Sequence, residues 1–218
     1  VLRLETHTGV AHIWVDGQGQ NRISIVPGAN FALTPQDAID EVGKLKNVSV
    51  LIAQCEIPQE VTLAAFRTAQ DMGITTILNP APYQPLTDDL LELTDWLIPN
   101  EIEFAELDHS HRAPDSDEII ASLRAKGRTI VTLGSEGAAL VTLDGKVKRF
   151  IAKKVSAVDT TGAGDCFIGA FAAALASGSS EESAVQFGND CATKSVMRKG
   201  AQSSYPKLNE MDFSLIVK

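Results

Sequence analysis

Between residues 35 and 133 the sequence alternates between helical segments and short apolar segments, and this alternation constrains the fold more than any other feature. Helical patterns cover Pro35–Leu45 and Pro58–Met72, and runs typical of strands occur at Val48–Ala53, Ile74–Leu78, Trp96–Ile98 and Thr129–Leu133. Short, mostly apolar strands between helices are typical of a parallel sheet that is covered by helices on both faces. The sequence therefore predicts an α/β domain.

Two β-hairpins and two closing helices are predicted outside this alternating region. The first hairpin pairs Val10–Val15 with Ile23–Val26 around the turn residues Asp16–Gln20, and the second spans Ala138–Ile151 with its turn at Asp144-Gly145. The closing helices run from Gly162 to about Ser177 and from Glu181 to about Arg198. No linker-like segment divides the chain, so we predict one domain with an antiparallel flap at its N-terminal end.

The composition excludes several classes of partner and location. The 218 residues include 19 basic against 28 acidic side chains, and the resulting net charge of −9 argues against binding to nucleic acid or to an anionic membrane. The longest apolar runs are too short to span a bilayer. Cys55, Cys166 and Cys191 lack the spacing of a metal site and suit a reducing compartment, so we expect the cytoplasm or, in a eukaryotic cell, the nucleus.

The segment Asp159-Thr160-Thr161-Gly162-Ala163-Gly164-Asp165 carries the clearest chemical signal. Its three small residues precede an Ala-rich helix, so backbone amides at the start of that helix are unshielded and can hold an anion. A carboxylate beside a bound phosphate has a natural use in accepting a proton from an attacking hydroxyl group. The alternative, in which Asp165 only caps a helix, leaves the other polar residues of the segment unexplained.

This segment resembles the D-T-x-G-A-G-D signature of the ribokinase-like carbohydrate kinase family. The resemblance implies a three-layer α/β/α domain with a mostly parallel central sheet and a small antiparallel β lid. Residues 1–30 would then form part of the lid and the return to the core, and residues 31–218 the nucleotide-binding and phosphotransfer core. The resemblance also implies that the amides of Gly162, Ala163 and Gly164 form an anion hole and that Asp165 is the catalytic base and a substrate contact.

Other segments resemble the same family in the same order along the chain. Asn79-Pro80-Ala81-Pro82 resembles N-P-A-P, and Pro99–Glu103 resembles P-N-x-x-E, in which Asn100 would lie near the nucleotide and Glu103 would organise Mg²⁺ through water. A helix that begins at Glu101 would also use Asn100 as its cap, and both roles are compatible. Glu56 occupies the sugar-contact position of the family, although a solvated side chain before a helix explains it equally well.

The resemblance also implies a nucleotide loop and a site for a monovalent cation. The loop resembles T-L-G-x-x-G, and its cofactor-binding residues would be Thr132, Leu133, Gly134, Ser135, Glu136 and Gly137, together with Gly164, Asp165 and the adenine-contacting Asn189. The Arg198–Ser204 segment resembles R-K-G-A-x-x-S. The ligands of K⁺ would be Asp159, the backbone carbonyls of Thr161, Ser195, Arg198 and Gly200, and Ser204, while a basic helix end that complements the helix dipole is the alternative for Arg198 and Lys199.

The family resemblance runs from about Thr8 to about Pro206, and the N-terminal sugar-binding portion of the family is not found in the sequence. We expect either that the chain is a fragment or that further residues precede Val1. The implied activity is phosphorylation of the primary hydroxyl of D-ribose with ATP, Mg²⁺ and K⁺ as cofactors, in a homodimer formed through the lid. The alternatives are another sugar or nucleoside kinase of the family and a truncated, non-catalytic nucleotide-binding chain.

A dehydrogenase of the Rossmann type is excluded on the sequence. The Gly-x-Gly-x-x-Gly fingerprint that such enzymes carry after their first strand is absent.

Overall fold

The computed structural model describes residues 5–15, 21–108, 111–123 and 127–212. Its strands are β1 Val10–Val15, β2 Asn21–Val26, β3 Val50–Ala53, β4 Thr75–Leu78, β5 Trp96–Leu97, β6 Arg128–Thr132, β7 Ala138–Val141 and β8 Val147–Phe150. Its α-helices are α1 Pro35–Val42, α2 Gln59–Asp71, α3 Asp88–Glu92, α4 Glu101–Leu107, α5 Asp117–Ser122, α6 Ala163–Ala176 and α7 Glu181–Ser195. Every helix in these ranges is too short or too polar to cross a bilayer.

A six-stranded sheet with the order β3-β4-β5-β6-β7-β8 forms the centre of the molecule. The four strands from β3 to β6 are parallel, and β7 and β8 continue the sheet in antiparallel pairs. The strands β1 and β2 form a separate antiparallel ribbon, in which Val10 pairs with Val26 and Trp14 with Arg22. The mostly parallel sheet and the small antiparallel sheet confirm the predicted fold class.

Helices cover both faces of the central sheet. Successive residues of each strand point to opposite sides, and apolar residues on both sides need to be buried. On one face, Ile77, Ile98 and Ile130 pack with Phe167 and Phe171 of α6 in the largest apolar cluster. On the other face, the neighbouring residues pack against α2 to α5 in two smaller clusters, to which the strands contribute Leu78, Leu97, Val131, Ala139 and Val141. The domain therefore has three layers, α/β/α, as the sequence predicts.

The ends of several elements differ from the predicted ones. The first helix stops at Val42 rather than Leu45, and the last stops at Ser195 rather than Arg198 because the residues after it turn back towards the start of α6. The strands keep their predicted positions to within two residues. Helices α3 and α5 were not predicted from the sequence, and the predicted turn at Asp16–Gln20 lies outside the described residues.

The turn at Asp144-Gly145 is present as predicted. Gly145 has a φ of 79°, and the Thr142 amide donates to the Lys146 carbonyl at 3.0 Å, which closes the β7–β8 hairpin. Thr34 also caps α1 as its sequence context indicates. Its hydroxyl accepts from the Asp37 amide, and the Asp37 carboxylate accepts from the Thr34 amide in return.

Candidate active site

A cavity of about 210 Å³ lies where strands β4, β5 and β6 end and helix α6 begins. This position agrees with the general rule that open α/β sheets bind ligands at the carboxyl ends of their parallel strands. The cavity is lined by Asn79, Ala81, Ile98, Asn100, Glu103, Thr132, Thr160, Gly162, Ala163, Gly164, Asp165 and Ile168. Residues from four sequence motifs that lie far apart along the chain therefore meet in one place.

The glycine-rich turn before α6 presents backbone amides to this cavity. Gly162 is the N-cap residue and has a φ of 74°, in the left-handed region that favours glycine. The first turn of a helix leaves its amides without acceptors inside the helix, so they are available to an anion. The Ala163 amide differs, because it donates to the Thr160 carbonyl at 3.2 Å. The Gly162 and Gly164 amides are therefore better placed to receive an anion.

Asp165 lies in the first turn of α6, and its exposed side chain lines the cavity. It is three residues from the N-cap Gly162, so its carboxylate and the amides of the turn face the same space. A carboxylate in this position can accept a proton from a hydroxyl group that approaches the anion site.

Asp159 ties the glycine-rich turn to the loop that follows α7. One oxygen of its carboxylate accepts from the Thr161 amide at 3.0 Å, and the other accepts from the Gly200 amide at 2.9 Å. The hydrogen bond from Gly200, supported by those from Thr161, lowers the pKa of Asp159 to about 2. The carboxylate is therefore ionised at neutral pH and bridges two segments that are 41 residues apart.

Glu103 is a buried carboxylate in the same cavity. Its Oε2 accepts from the Asn100 amide at 2.8 Å and from Asn79 Nδ2 at 3.4 Å, and its Oε1 accepts from Asn100 Nδ2 at 2.9 Å. Burial raises the pKa of Glu103, and the hydrogen bonds from Asn100 and Asn79 oppose that rise. Asn100 also caps α4, because its Oδ1 accepts from the Ile102 and Glu103 amides. Asn100 therefore has both the capping role and a place in the site.

The Glu103 carboxylate, which the N–H groups of Asn100 and Asn79 hold in place, could bind a divalent cation through water. Hard cations prefer oxygen ligands, and Mg²⁺ usually keeps several waters. In the described ranges no group of three or more His, Cys, Asp or Glu side chains could hold a metal directly.

The predicted nucleotide loop follows β6, and a hydrogen bond and close packing fix its shape. The Leu133 amide donates to the Gly137 carbonyl at 2.8 Å, and Gly134 and Gly137 have φ values of 50° and 99°. A Cβ atom on Gly137 would come within 1.9 Å of the Phe150 carbonyl oxygen, so only glycine fits there. Asn189 is buried beside this loop and donates to the same carbonyl at 2.7 Å.

The structure brings only part of the predicted nucleotide set into the cavity. Thr132, Asn100, Gly164 and Asp165 line it, whereas the remaining loop residues and Asn189 lie outside its lining, beyond the end of β6. Gly134, Ser135 and Glu136 are exposed at this end of the loop, whereas Leu133, Gly137 and Asn189 are buried. The exposed loop residues are therefore the candidates for contacts with a part of the nucleotide away from the transferred phosphate.

Two of the residues predicted to bind the monovalent cation, Thr161 and Gly200, contact Asp159 through their amides. The Ser195 carbonyl, which is the predicted ligand atom of that residue, accepts from the Arg198 amide at 3.2 Å, and the Ser204 hydroxyl donates to the Ala201 carbonyl at 2.7 Å. The side chain of Arg198 is held by the Glu210 carboxylate. The oxygen donors of this region fit a weakly bound monovalent cation beside the ionised carboxylate.

Glu56 lies after β3, at the same edge of the sheet, but does not line the cavity. Its side chain is exposed, and the adjacent Cys55 amide donates to the Ala81 carbonyl at 2.9 Å. This bond places the end of β3 next to the cavity residue Ala81. Glu56 therefore lies near the site but is not one of the residues that line the cavity.

Five residues of the cavity lining were not assigned from the sequence, namely Asn79, Ala81, Ile98, Thr160 and Ile168. Asn79 and Ala81 belong to a motif that was recognised, but neither was assigned a role, and Thr160 lies within the glycine-rich segment. Asn79 is buried and donates to the Ile98 carbonyl at 2.8 Å, so it fixes the geometry around Glu103. The signal for Asn79 was its position directly after β4, at the binding edge of the sheet.

Comparison with known proteins agrees with this geometry. The family model described as "pfkB family carbohydrate kinase" matches residues 2–208. A ribokinase of Staphylococcus aureus is 38% identical over 215 residues, which cover 95% of this chain and 70% of that protein. A Schizosaccharomyces pombe ribokinase is 37% identical over 218 residues, or 97% of this chain and 69% of its own length.

Solved structures show the same fold. A ribokinase from Thermotoga maritima superposes with a TM-score of 0.84 at 40% identity, covering 96% of this chain and 70% of that one. An Arabidopsis thaliana ribokinase, solved in complex with ribose and ATP, superposes with a TM-score of 0.84 at 31% identity and covers 94% of this chain and 68% of its own. By the match over nearly its whole length, the chain belongs to the pfkB family of carbohydrate kinases.

Proposed function

We propose that this chain transfers the γ-phosphoryl group of ATP to the primary hydroxyl of D-ribose, giving ribose 5-phosphate. The observation that carries the proposal is the meeting of Asp165 with the Gly162 and Gly164 amides in one cavity, at the carboxyl ends of the parallel strands. The identity to ribokinases, and the ribose and ATP in a related structure, support ribose as the acceptor.

In this mechanism Asp165 accepts the proton of the sugar hydroxyl as its oxygen attacks the phosphorus in line. The bond between the γ-phosphorus and the bridging oxygen breaks as the new P–O bond forms, and ADP leaves with the electron pair. The Gly162 and Gly164 amides stabilise the charge that develops on the transferred group, since they are fixed at the start of α6 before the reaction begins.

Glu103 and Asn100 form the part of the site that would face the nucleotide. Glu103 would orient waters around Mg²⁺, which neutralises phosphate charge when it is bound with ATP. Asn79 and Asn100 keep the Glu103 carboxylate in place through their side-chain amides. The Thr132–Gly137 loop and Asn189 are the proposed contacts with the remainder of the nucleotide.

Asp159 and the loop after α7 would bind K⁺ next to the glycine-rich turn. A cation there would stabilise the turn electrostatically. It would also help to fix the Asp159 carboxylate, which already accepts hydrogen bonds from the Gly200 and Thr161 amides. Thr161, Ser195, Arg198, Gly200 and Ser204 are the remaining proposed oxygen donors. Glu56 is the proposed sugar contact, because it follows β3 at the edge where the site is built.

We further propose a homodimer that forms through the β lid, and a cytoplasmic location. The ribbon β1–β2 supports the dimer because it exposes apolar side chains on both faces, such as Trp14 on one and Ile25 on the other. All three cysteines are free, which suits a reducing compartment.

The test is consumption of ATP by the chain against a panel of ribose, deoxyribose, fructose and nucleosides, with and without K⁺. We expect turnover with ribose, greater in the presence of K⁺, and a loss of about 10³-fold or more in kcat for Asp165→Asn with ATP binding retained. Full activity of Asp165→Asn would contradict the assignment of the base. Binding of ATP without turnover of any sugar would favour a non-catalytic nucleotide-binding chain.

A further inference from the structure

The segment that follows α7 contacts the glycine-rich turn at a second place besides Asp159. After the 3₁₀ helix Gln202–Ser204, the half-buried Tyr205 packs its ring against the large apolar cluster between the sheet and helices α6 and α7. Its amide donates to the Gln202 carbonyl at 3.3 Å. Tyr205 is thus held at both its backbone and its ring.

The phenol oxygen of Tyr205 lies directly against Gly162. A Cβ atom on Gly162 would stand 2.8 Å from Tyr205 Oη, and 3.3 Å from both Cα and Cβ of Ala201. Gly162 is the residue whose φ of 74° sets the direction of the amides at the start of α6. The contact therefore falls on the part of the turn that determines where those amides point.

Tyr205 approaches this turn from outside the cavity. Gly162 and Asp165 line the cavity, whereas Tyr205 is not among the lining residues. Tyr205 is therefore not placed to contact the transferred phosphate directly, but it can act on the site through Gly162.

The charge state of Tyr205 is compatible with this role. Burial raises the pKa of the phenol, and the nearby Asp165 carboxylate raises it further. The group therefore keeps its proton at the pH at which kinases operate, and no second negative charge is placed next to the anion site.

We propose that Tyr205 is a positioning residue for phosphoryl transfer, whose hydroxyl end braces Gly162 and so fixes the direction of the amides that receive the phosphoryl group. This inference rests on the proposed function, because those amides matter only if phosphoryl transfer occurs there. It concerns the transition state more than substrate binding, since a small displacement of preorganised donors costs rate before it costs affinity.

The test compares Tyr205→Ala and Tyr205→Phe with Tyr83→Phe. Tyr83 is the other tyrosine of the chain and lines a different cavity, so its substitution controls for the loss of a phenol hydroxyl as such. We expect kcat with ribose to fall about tenfold in Tyr205→Ala and less in Tyr205→Phe, which keeps the ring. We expect KM for ATP and for ribose to stay within about twofold, and Tyr83→Phe to behave as the unmodified chain.

Hydrogen exchange gives a readout that does not depend on activity. The Cys166 amide donates to the Gly162 carbonyl at 2.9 Å, so its exchange reports on the order of the turn. We expect exchange at residues 162–166 to accelerate in Tyr205→Ala by more than exchange at the core amides of α7, which report the stability lost with the packed ring.

The two readouts separate the inference from the function beneath it. If the unmodified chain turns over no sugar, the proposed function fails. Hydrogen exchange at residues 162–166 then still tests whether Tyr205 orders the glycine-rich turn. Unchanged exchange at residues 162–166 in Tyr205→Ala overturns the inference, whether or not kcat falls. An unchanged kcat in Tyr205→Ala, in a chain that phosphorylates ribose, overturns it as well.

Discussion

Thr62 and Thr76 are both buried threonines, but their hydroxyl groups differ in their partners. The Thr76 hydroxyl donates to the Leu93 carbonyl at 2.6 Å and accepts from the Asp95 amide at 3.0 Å. Among the described residues, the hydroxyl of Thr62 is the buried side-chain group that lacks a hydrogen-bond partner. A buried polar group without a partner loses its hydration and gains nothing in return.

Replacement of Thr62 by Val should therefore stabilise the protein. Valine has nearly the same shape and carries no hydroxyl, so we expect the free energy of unfolding in urea to rise by about 1 kcal/mol. Thr76→Val is the matched control, since it removes a satisfied hydroxyl and should lower the free energy of unfolding by about 1–3 kcal/mol. A lower stability of Thr62→Val would contradict the prediction.

At this scale the sequence was sufficient for residues whose chemistry is local. The three small residues before an Ala-rich helix indicated the glycine-rich turn, and Asn100 was predicted both as a cap and as a site residue. Tyr205 could not be found in this way. Its contact with Gly162 bridges 43 positions of sequence and depends on how the chain returns after α7.

At the scale of elements, helices α6 and α7 approach each other closely at a glycine. A Cβ atom on Gly188 of α7 would lie 3.0 Å from two ring carbons of Phe167 and 3.1 Å from its carbonyl oxygen. The Phe167 ring is stacked on Phe171, with the two ring planes inclined by 8°, so it has little room to move. Gly169 of α6, by contrast, has no atom within 4 Å of the position of a Cβ.

These two glycines should respond oppositely to replacement by alanine. We expect Gly169→Ala to raise the free energy of unfolding by up to about 1 kcal/mol, because alanine favours the helix. Gly188→Ala gains the same preference but overpacks the contact with Phe167, which costs about 1–3 kcal/mol, so its stability should fall. Thermal unfolding of both variants measures the difference, and a stabilised Gly188→Ala would show that α6 and α7 separate at little cost.

The elements that the sequence predicted are those with strong periodicity or strong end signals. Helices α3 and α5 were not predicted because they are five and six residues long and carry too few apolar residues to show a helical periodicity. Their caps are ordinary ones, Thr87 and Ser116, and such residues also occur in loops. Packing of Leu90 and Ile120 against the sheet stabilises these short helices, since helices of this length are marginal alone.

At the scale of the whole molecule, the sheet and its two helical layers were predictable, because alternation alone specifies them. The convergence of the motifs on one cavity also follows from topology, since parallel strands end at the same edge. The β lid is different. A ribbon of two strands is marginally stable by itself, and within the described residues β1 and β2 pair only with each other.

The lid exposes apolar side chains on both of its faces. Val10, Trp14 and Val26 share one face in the observed register, with 45%, 58% and 44% of their surface exposed, and Ile25 on the other face is 48% exposed. The ring of His12 stacks on Trp14 at 6.3 Å, which extends the same face. An apolar ribbon of this kind is expected to be covered by another surface, and a second copy of the chain would present the same ribbon.

A charge placed on this face should therefore separate the proposed dimer. We expect the chain to sediment as a dimer at micromolar concentration, and Trp14→Glu to shift it to the monomer because a carboxylate is costly to bury in an apolar interface. Leu143→Glu is the control, since Leu143 is 64% exposed but lies in the β7–β8 turn, away from the lid. Dissociation by Leu143→Glu, or an undisturbed dimer in Trp14→Glu, would place the contact elsewhere on the molecule.

Because a ribbon that loses its partner also loses support, Trp14→Glu should in addition raise the proteolytic sensitivity of residues 10–26, while the core remains folded.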